Sequence, residues 1–186
     1  VSVTTICFDI FGLEMWCSLT SGLTLVVANE EEQNSPVLLN KLCLENNVNI
    51  IQTTPSRYSV IFEDKNNIKF TKNLTDILIG GEAVNNKILS EIKKATKCKI
   101  FNMYGPTETT DICTYYIVDR KFENTETLPI GKHCNNCDVM IIKDDGTRAG
   151  KGEEGELCAR GSFLAMGYYN NPEKTNSVFV QNPLNK

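Results

Sequence analysis

Three short stretches of this chain combine residue types that could do chemistry. The densest is Asn102-Met103-Tyr104-Gly105-Pro106-Thr107-Glu108. Tyr104 offers an aromatic face for a base, and Gly105 permits close approach of the backbone. Thr107 offers a hydroxyl to a phosphate oxygen, and Glu108 a hard oxygen ligand to Mg2+. Together they read as one side of a nucleotide site; the alternative is a strand-to-helix turn with Thr107 as its cap. The other two stretches, Phe8-Asp9 and Ile79-Gly80-Gly81-Glu82, are each explicable as turns. All three are expected at the carboxyl ends of strands, where open α/β sheets bind ligands.

The elements that must position these stretches follow from apolar spacing. Val3 to Phe8 is rich in β-branched residues and predicts a strand, Leu13 to Leu19 a short helix, and Leu23 to Val27 a buried strand. Glu30-Glu31-Glu32 reads as a solvated loop. Ser35-Pro36 predicts an N-cap and first helical residue for a helix running to Glu45. Val48 to Ile51 predicts a strand, and Thr54-Pro55 opens a helix containing Val60 and Ile61. Ile77 to Ile79 predicts a strand ending at Gly80-Gly81, and Cys98 to Phe101 another. Between them Val84, Ile88, Leu89, Ile92 and Ala95 fall at helical spacing, with Lys93, Lys94 and Lys97 near the helix end.

This alternation predicts an α/β fold: a mostly parallel sheet with helices on both faces. After about Thr114 the texture changes. Val139 to Lys143, a turn at Asp144-Asp145-Gly146, and Gly155 to Ala159 predict a small antiparallel, barrel-like subdomain. The expected division is residues 1–116 and 117–186. The chain opens directly into a strand-like run and stops at Asn182 to Lys186 without a capped element, so a piece of a larger domain is expected.

Composition narrows the function classes. The 186 residues are 41% hydrophobic and 23% charged, with a net charge of −4. That is ordinary globular composition with no basic footprint for nucleic acid or an anionic membrane. No apolar run approaches the roughly 20 residues of a membrane span, and the start lacks a signal-peptide pattern, so a cytoplasmic location is expected. Of the eight cysteines, only Cys134 and Cys137, beside His133, have ligand-like spacing. A second ligand pair is missing, so two reduced thiols before a strand are favoured over a zinc site.

The run Asn-x-Tyr-Gly-Pro-Thr-Glu-Thr-Thr at 102–110 resembles a signature of the adenylate-forming, AMP-binding superfamily, most closely the adenylation domains of nonribosomal peptide synthetases. Other stretches agree in the same order. Phe8-Asp9-Ile10-Phe11-Gly12-Leu13-Glu14-Met15-Trp16 resembles the family's Phe-Asp substrate motif. Pro129-Ile130-Gly131-Lys132 resembles the turn that follows the signature. Gly155-Glu156-Leu157-Cys158-Ala159-Arg160-Gly161, with Gly167-Tyr168-Tyr169 and Pro172-Glu173-Lys174-Thr175, resembles its downstream glycine-rich motif. The chain is thereby placed in the family's larger N-terminal domain.

The resemblance implies an enzyme that uses ATP and Mg2+ to convert an amino acid to its aminoacyl-adenylate. The acyl group then passes to phosphopantetheine on a partner carrier domain. Tyr104 would pack on adenine, with Asn102, Met103, Gly105, Pro106 and the segment Gly80, Gly81 and Glu82 around the nucleotide. Thr107 would bond a phosphate and Glu108 would ligate Mg2+ as the catalytic pair. Asp9 would pair with the substrate ammonium, sparing it an unpaired burial. The positions matching the side-chain pocket are Asp9, Ile10, Leu13, Gln52, Leu78, Gly80, Met103, Asp111 and Ile112. The first six favour glycine; an inward Asp111 would favour a basic amino acid instead. The Gly155–Thr175 region is expected to be scaffold, with Glu156 and Arg160 satisfied locally. The family's phosphate loop and catalytic lysine fall outside this chain, so residues 1–186 alone are expected to be inactive. A free-standing D-alanine-type carrier-protein ligase and a non-catalytic nucleotide-binding module remain as alternatives.

Overall fold

A computed structural model describes residues 1–63, 68–119, 128–182 and 184. The chain forms two compact units, one of Val1–Tyr104 with Thr114–Lys132, the other of Gly105–Cys113 with His133–Lys186.

The first unit is built on a mixed sheet. Strands β1 (Ile50–Thr53), β2 (Asp76–Gly80) and β3 (Lys99–Tyr104) are parallel neighbours, and β4 (Thr114–Ile117) runs antiparallel to β3. The strand order is β1-β2-β3-β4-β5, with β5 the two-residue strand Lys132–His133. The helices are α1 (Asp9–Thr20), α2 (Glu30–Asn34), α3 (Pro36–Glu45), α4 (Pro55–Ile61) and α5 (Asn86–Ala95). The helix starts at Pro36 and Pro55 are as the sequence predicts: Ser35 and Thr54 cap them, accepting from the amides of Leu38 and Arg57. Helix α5 is the clearest amphipathic element. It buries Leu89 and Ile92 against the core and leaves Lys94 exposed.

The core lies beneath one face of the sheet. Ile51, Ile77, Ile79 and Ile100 are buried, with Leu39, Tyr58, Phe70 and Ile92. Full burial stabilises each of the aliphatic side chains by about 1.5–3 kcal/mol. Tyr58 stacks on Phe62 at 3.8 Å between ring centroids, and Asn40 Oδ1 accepts from the buried amide of Phe70 at 3.2 Å.

Four local expectations are corrected. Val3 to Phe8 is not a strand: the amides of Phe8 and Cys7 donate to Thr5, closing a turn before α1 begins at Asp9. Leu23 to Val27 contributes only the bridge between Ser2 and Val27, and both Leu23 and Val27 are exposed. In both places β-branched composition lacks a partner ladder, and without one it does not specify a strand. The acidic run Glu30–Glu32 is the first turn of α2 rather than a loop. Asn29 caps it by accepting from Glu32 N, while Glu32 accepts from Asn29 N, a reciprocal capping box. The strand expected at Val48 starts two residues later, at Ile50, and Val48 packs into the core.

The second unit carries strands β6 (Cys137–Ile142) and β7 (Glu156–Gly161), paired antiparallel, and helix α6 (Pro172–Val178). Arg160 Nη2 pairs with Asp138 across the ladder at 2.5 Å. Cys134 and Cys137 lie in the turn entering β6, which Asn136 closes at φ 60°. Burial pushes the Cys137 thiol up to about 11, so both its position and its chemistry are those of a protonated, packed thiol. Among the described residues no cluster of three or more His, Cys, Asp or Glu side chains could hold a metal ion. No helix among them is long and apolar enough to cross a membrane. The expectations for Pro183, Asn185 and Lys186 fall outside the described residues.

Candidate functional site

In the first unit the parallel register sorts the candidate residues onto two faces. Gln52 pairs with Leu78 and Gly80 with Met103, and Leu78 and Gly80 are two apart. Side chains alternate along a strand, so Gln52, Leu78, Gly80 and Met103 share one face. Asn102 and Tyr104 point to the other. Leu78 and Met103 are only half-buried, whereas the isoleucines of the opposite face are fully buried. Of the nine positions matched to the side-chain pocket, these four strand residues share the face on which Leu78 and Met103 are less covered.

Gly80 is required where it stands. A Cβ there would run into the backbone carbonyl of Met103, so a side chain would close the end of that face. Gly81 follows at φ 80°, turning the chain out of β2. Glu82 is exposed and bound to the start of α4: it accepts from Ser56 Oγ at 2.6 Å and from Ser56 N at 3.0 Å. It bridges the loops after β1 and β2, a structural task that the sequence did not suggest.

Asp9, Ile10 and Leu13 are all half-buried in the first turns of α1, not at a strand end. Spacings of three and four residues put them on one side of that helix. Asp9 Oδ1 accepts from Ile10 N at 2.9 Å, which orients the carboxylate at the helix start. Asn102, expected at the nucleotide edge, is buried, and its Nδ2 donates to Pro129 O at 2.8 Å. It holds the Pro129-Ile130-Gly131 turn in place. Tyr104 is exposed over about a third of its surface, leaving part of its ring open.

The second unit holds the rest of the signature. Gly105 lies so close to the backbone of Asp111 and Ile112 that a Cβ has no room. Pro106 leads into a 3₁₀ turn, Thr107–Thr109, in which Thr109 Oγ1 donates to Pro106 O at 2.8 Å. Thr107 is exposed on that turn. Thr110 and Asp111 then adopt φ 59° and 134°, an uncommon state for a β-branched residue followed by an aspartate. The hydroxyl of Thr110 donates to Phe163 O, and Ala165 N donates to Glu108 O at 2.9 Å, which hold the loop in this shape. Asp111 and Ile112 are half-buried.

Glu108 is the focus of this unit. Its Oε1 accepts a hydrogen bond from the hydroxyl of Tyr168. That bond, its own backbone amide and the charge of Lys174 hold its carboxyl below the usual carboxylate range. Tyr168 belongs to the segment expected to be scaffold. Its contact with Glu108 was not anticipated from the sequence, where the only signal is an aromatic hydroxyl beside Gly167, at φ 132°. An ionised, anchored carboxylate suits Mg2+, which takes one or two protein carboxylates and completes its shell with water and substrate phosphates. The chemistry of this carboxylate therefore fits that ion.

The AMP-binding enzyme family model matches residues 1–169. The chain belongs to the AMP-binding enzyme family. Among its relatives, surfactin synthase subunit 1 of Bacillus subtilis (strain 168) is 33% identical over 177 residues, covering 95% of this chain and 5% of the relative. Gramicidin S synthase 2 of Aneurinibacillus migulanus is 34% identical over 184 residues, covering 98% and 4%. The AMP-binding chain thus spans about one twentieth of these curated relatives. Two solved structures share the fold. The Klebsiella oxytoca NpsA N-terminal subdomain, in complex with 3-hydroxybenzoyl-AMSN, aligns with TM-score 0.81 at 22% identity, over 94% of this chain and 44% of that one. PA1221, an NRPS protein containing adenylation and PCP domains, aligns with TM-score 0.82 at 24% identity, over 94% and 35%.

Proposed function

We propose that this AMP-binding chain is part of an enzyme that activates an amino acid as its adenylate and passes it to a carrier domain. The observation that carries the reading is Glu108, an anchored and ionised carboxylate in the signature that follows β3. In the proposed step a substrate carboxylate oxygen attacks the α-phosphorus of ATP. The bond to the pyrophosphate leaving group breaks, and an acyl-phosphate anhydride with AMP remains. When bound, Mg2+ neutralises phosphate charge in that transfer. Thr107 donates to a phosphate oxygen, Tyr104 packs on adenine, and the Gly80-Gly81 turn admits the base to the backbone.

Asp9 is assigned the substrate ammonium. Gln52 and Leu78, on the face shared with Gly80, would fill space that a side chain needs, which supports glycine as substrate. The carrier is proposed from the synthetases among the relatives and from the PCP domain of PA1221. Its phosphopantetheine supplies the thiol that accepts the acyl group, and the cytoplasm is the proposed location. Because the chain spans only 5% and 4% of those relatives, turnover is proposed for the full-length protein, with residues 1–186 alone inactive.

The test is amino-acid-dependent ATP–pyrophosphate exchange by the full-length protein across a panel of amino acids. Exchange with glycine is the expected result. Exchange only with lysine or ornithine would transfer the side-chain reading to Asp111. No exchange with any amino acid would refute amino-acid activation.

A further inference from the structure

Glu108 has its two carboxylate oxygens in different situations. Oε1 is the oxygen that accepts from the Tyr168 hydroxyl; Oε2 is not. The backbone of Glu108 is itself fixed, since its carbonyl accepts from Ala165 N at 2.9 Å. Tyr168 is held from several sides. Its amide donates to Thr175 Oγ1 at 2.9 Å, and Lys174 Nζ lies 4.2 Å from the centre of its ring. Phe179 meets the ring edge-on, 5.9 Å between centroids. Gly167, at φ 132°, sits where a Cβ would strike the Thr175 side chain, so the turn bearing Tyr168 closes tightly on α6.

We propose that Tyr168 is a positioning residue that sets the metal preference of Glu108, by restricting it to one ligand oxygen. The proposal rests on the Mg2+-dependent activation proposed above. Mg2+ demands near-ideal octahedral geometry and accepts a single carboxylate oxygen readily. Ca2+ is larger, tolerates irregular shells and takes carboxylates through both oxygens. Engaging one lone pair of Oε1 disfavours the two-oxygen mode and favours the one that suits Mg2+. A phenylalanine at this position keeps the ring, the Lys174 contact and the Phe179 edge, and releases only Oε1.

The experiment compares the full-length protein with Tyr168→Phe and Phe179→Leu. Mg2+ and Ca2+ affinities are measured by calorimetric titration in the presence of a non-hydrolysable ATP analogue. In parallel, ATP–pyrophosphate exchange is followed as Mg2+ is varied. Tyr168→Phe should weaken Mg2+ binding about tenfold, the usual scale for losing a group that orients a metal ligand. Ca2+ binding should be unchanged or tighter. Half-saturating Mg2+ should rise while the rate at saturating Mg2+ is largely kept. Phe179→Leu touches the ring but not the hydroxyl and should leave the Mg2+:Ca2+ ratio as it was. An unchanged ratio in Tyr168→Phe, or an equal change in Phe179→Leu, overturns the proposal. Failure of the wild-type protein to exchange with any amino acid removes the activation reading and this inference with it.

Discussion

Asn102 Nδ2 donates to the carbonyl of Pro129 at 2.8 Å, tying the middle of β3 to a turn 27 residues further along the chain. Asn102 is buried, so the bond is sheltered from water. Asn102→Ala should therefore leave an uncompensated carbonyl at Pro129 and a small void. The expected loss is about 1–3 kcal/mol, the range for an unmade buried hydrogen bond. Urea unfolding of the variant should show a lower midpoint with an unchanged slope. A midpoint equal to wild type would mean that water replaces the amide without cost.

Asn102 also shows how far the sequence could be read. A strand from Cys98 to Phe101, ending just before it, was legible from the apolar run; the β2–β3 pairing carries that strand on through Asn102 to Tyr104. Its partner was not legible, because nothing local connects Asn102 with Pro129. The same divide recurs at Glu108, whose turn was announced by Gly105-Pro106 while Tyr168 lies 60 residues away. Helix caps at Ser35 and Thr54 were legible because capping is local. Asn29 and Glu32 carry an equally local signal, but charge made the run look like a loop. Val3 to Phe8 failed for the opposite reason: strand propensity is local, whereas the ladder that would realise it is not.

Gly105→Ala should be damaging for a steric reason. The atoms that a Cβ would meet are the carbonyl of Asp111 and the Cα of Ile112, which are backbone and cannot swing aside. Overpacking of this kind costs about 1–3 kcal/mol. The cost should fall on the second unit and loosen the 105–113 loop. Hydrogen exchange should show faster exchange at Ala165 N, whose bond to Glu108 O depends on that loop. Exchange at wild-type rates would show that the loop shifts as a body to accept the methyl group.

Stability of the first unit should fall at alkaline pH because of Cys43. Its side chain is fully buried, and desolvation pushes the thiol from an ordinary 9.0 up to about 11. Below pH 9 the folded and unfolded chains both hold the proton, and this group adds no pH dependence. Between pH 9 and about 11 the unfolded chain loses the proton and the folded chain keeps it, so stability declines as pH rises. The full loss is on the order of 2–3 kcal/mol, at about 1.4 kcal/mol per pH unit. Urea midpoints at pH 8 and pH 10 should differ in wild type and differ less in Cys43→Ala. An identical pH dependence in the variant would assign the effect to other groups, such as the buried Tyr58 hydroxyl.

Asp9→Ala tests the substrate side of the site. Asp9 opens α1, and its carboxylate is oriented by accepting from Ile10 N at 2.9 Å. If it pairs with the substrate ammonium, its removal leaves that cation without a partner in a partly dry pocket. Losing one partner of such a pair costs about 3–5 kcal/mol when the pair is buried. Asp9 is only half-buried, so the loss should lie below that range and still cut kcat/KM at least about tenfold, each 1.4 kcal/mol being one decade. The informative readout is selectivity. Wild type should prefer an amino acid over the hydroxy acid of the same shape, whereas Asp9→Ala should treat the two nearly alike. Equal rate losses for both substrates would make Asp9 a helix-start residue that stabilises α1 and has no contact with the ammonium.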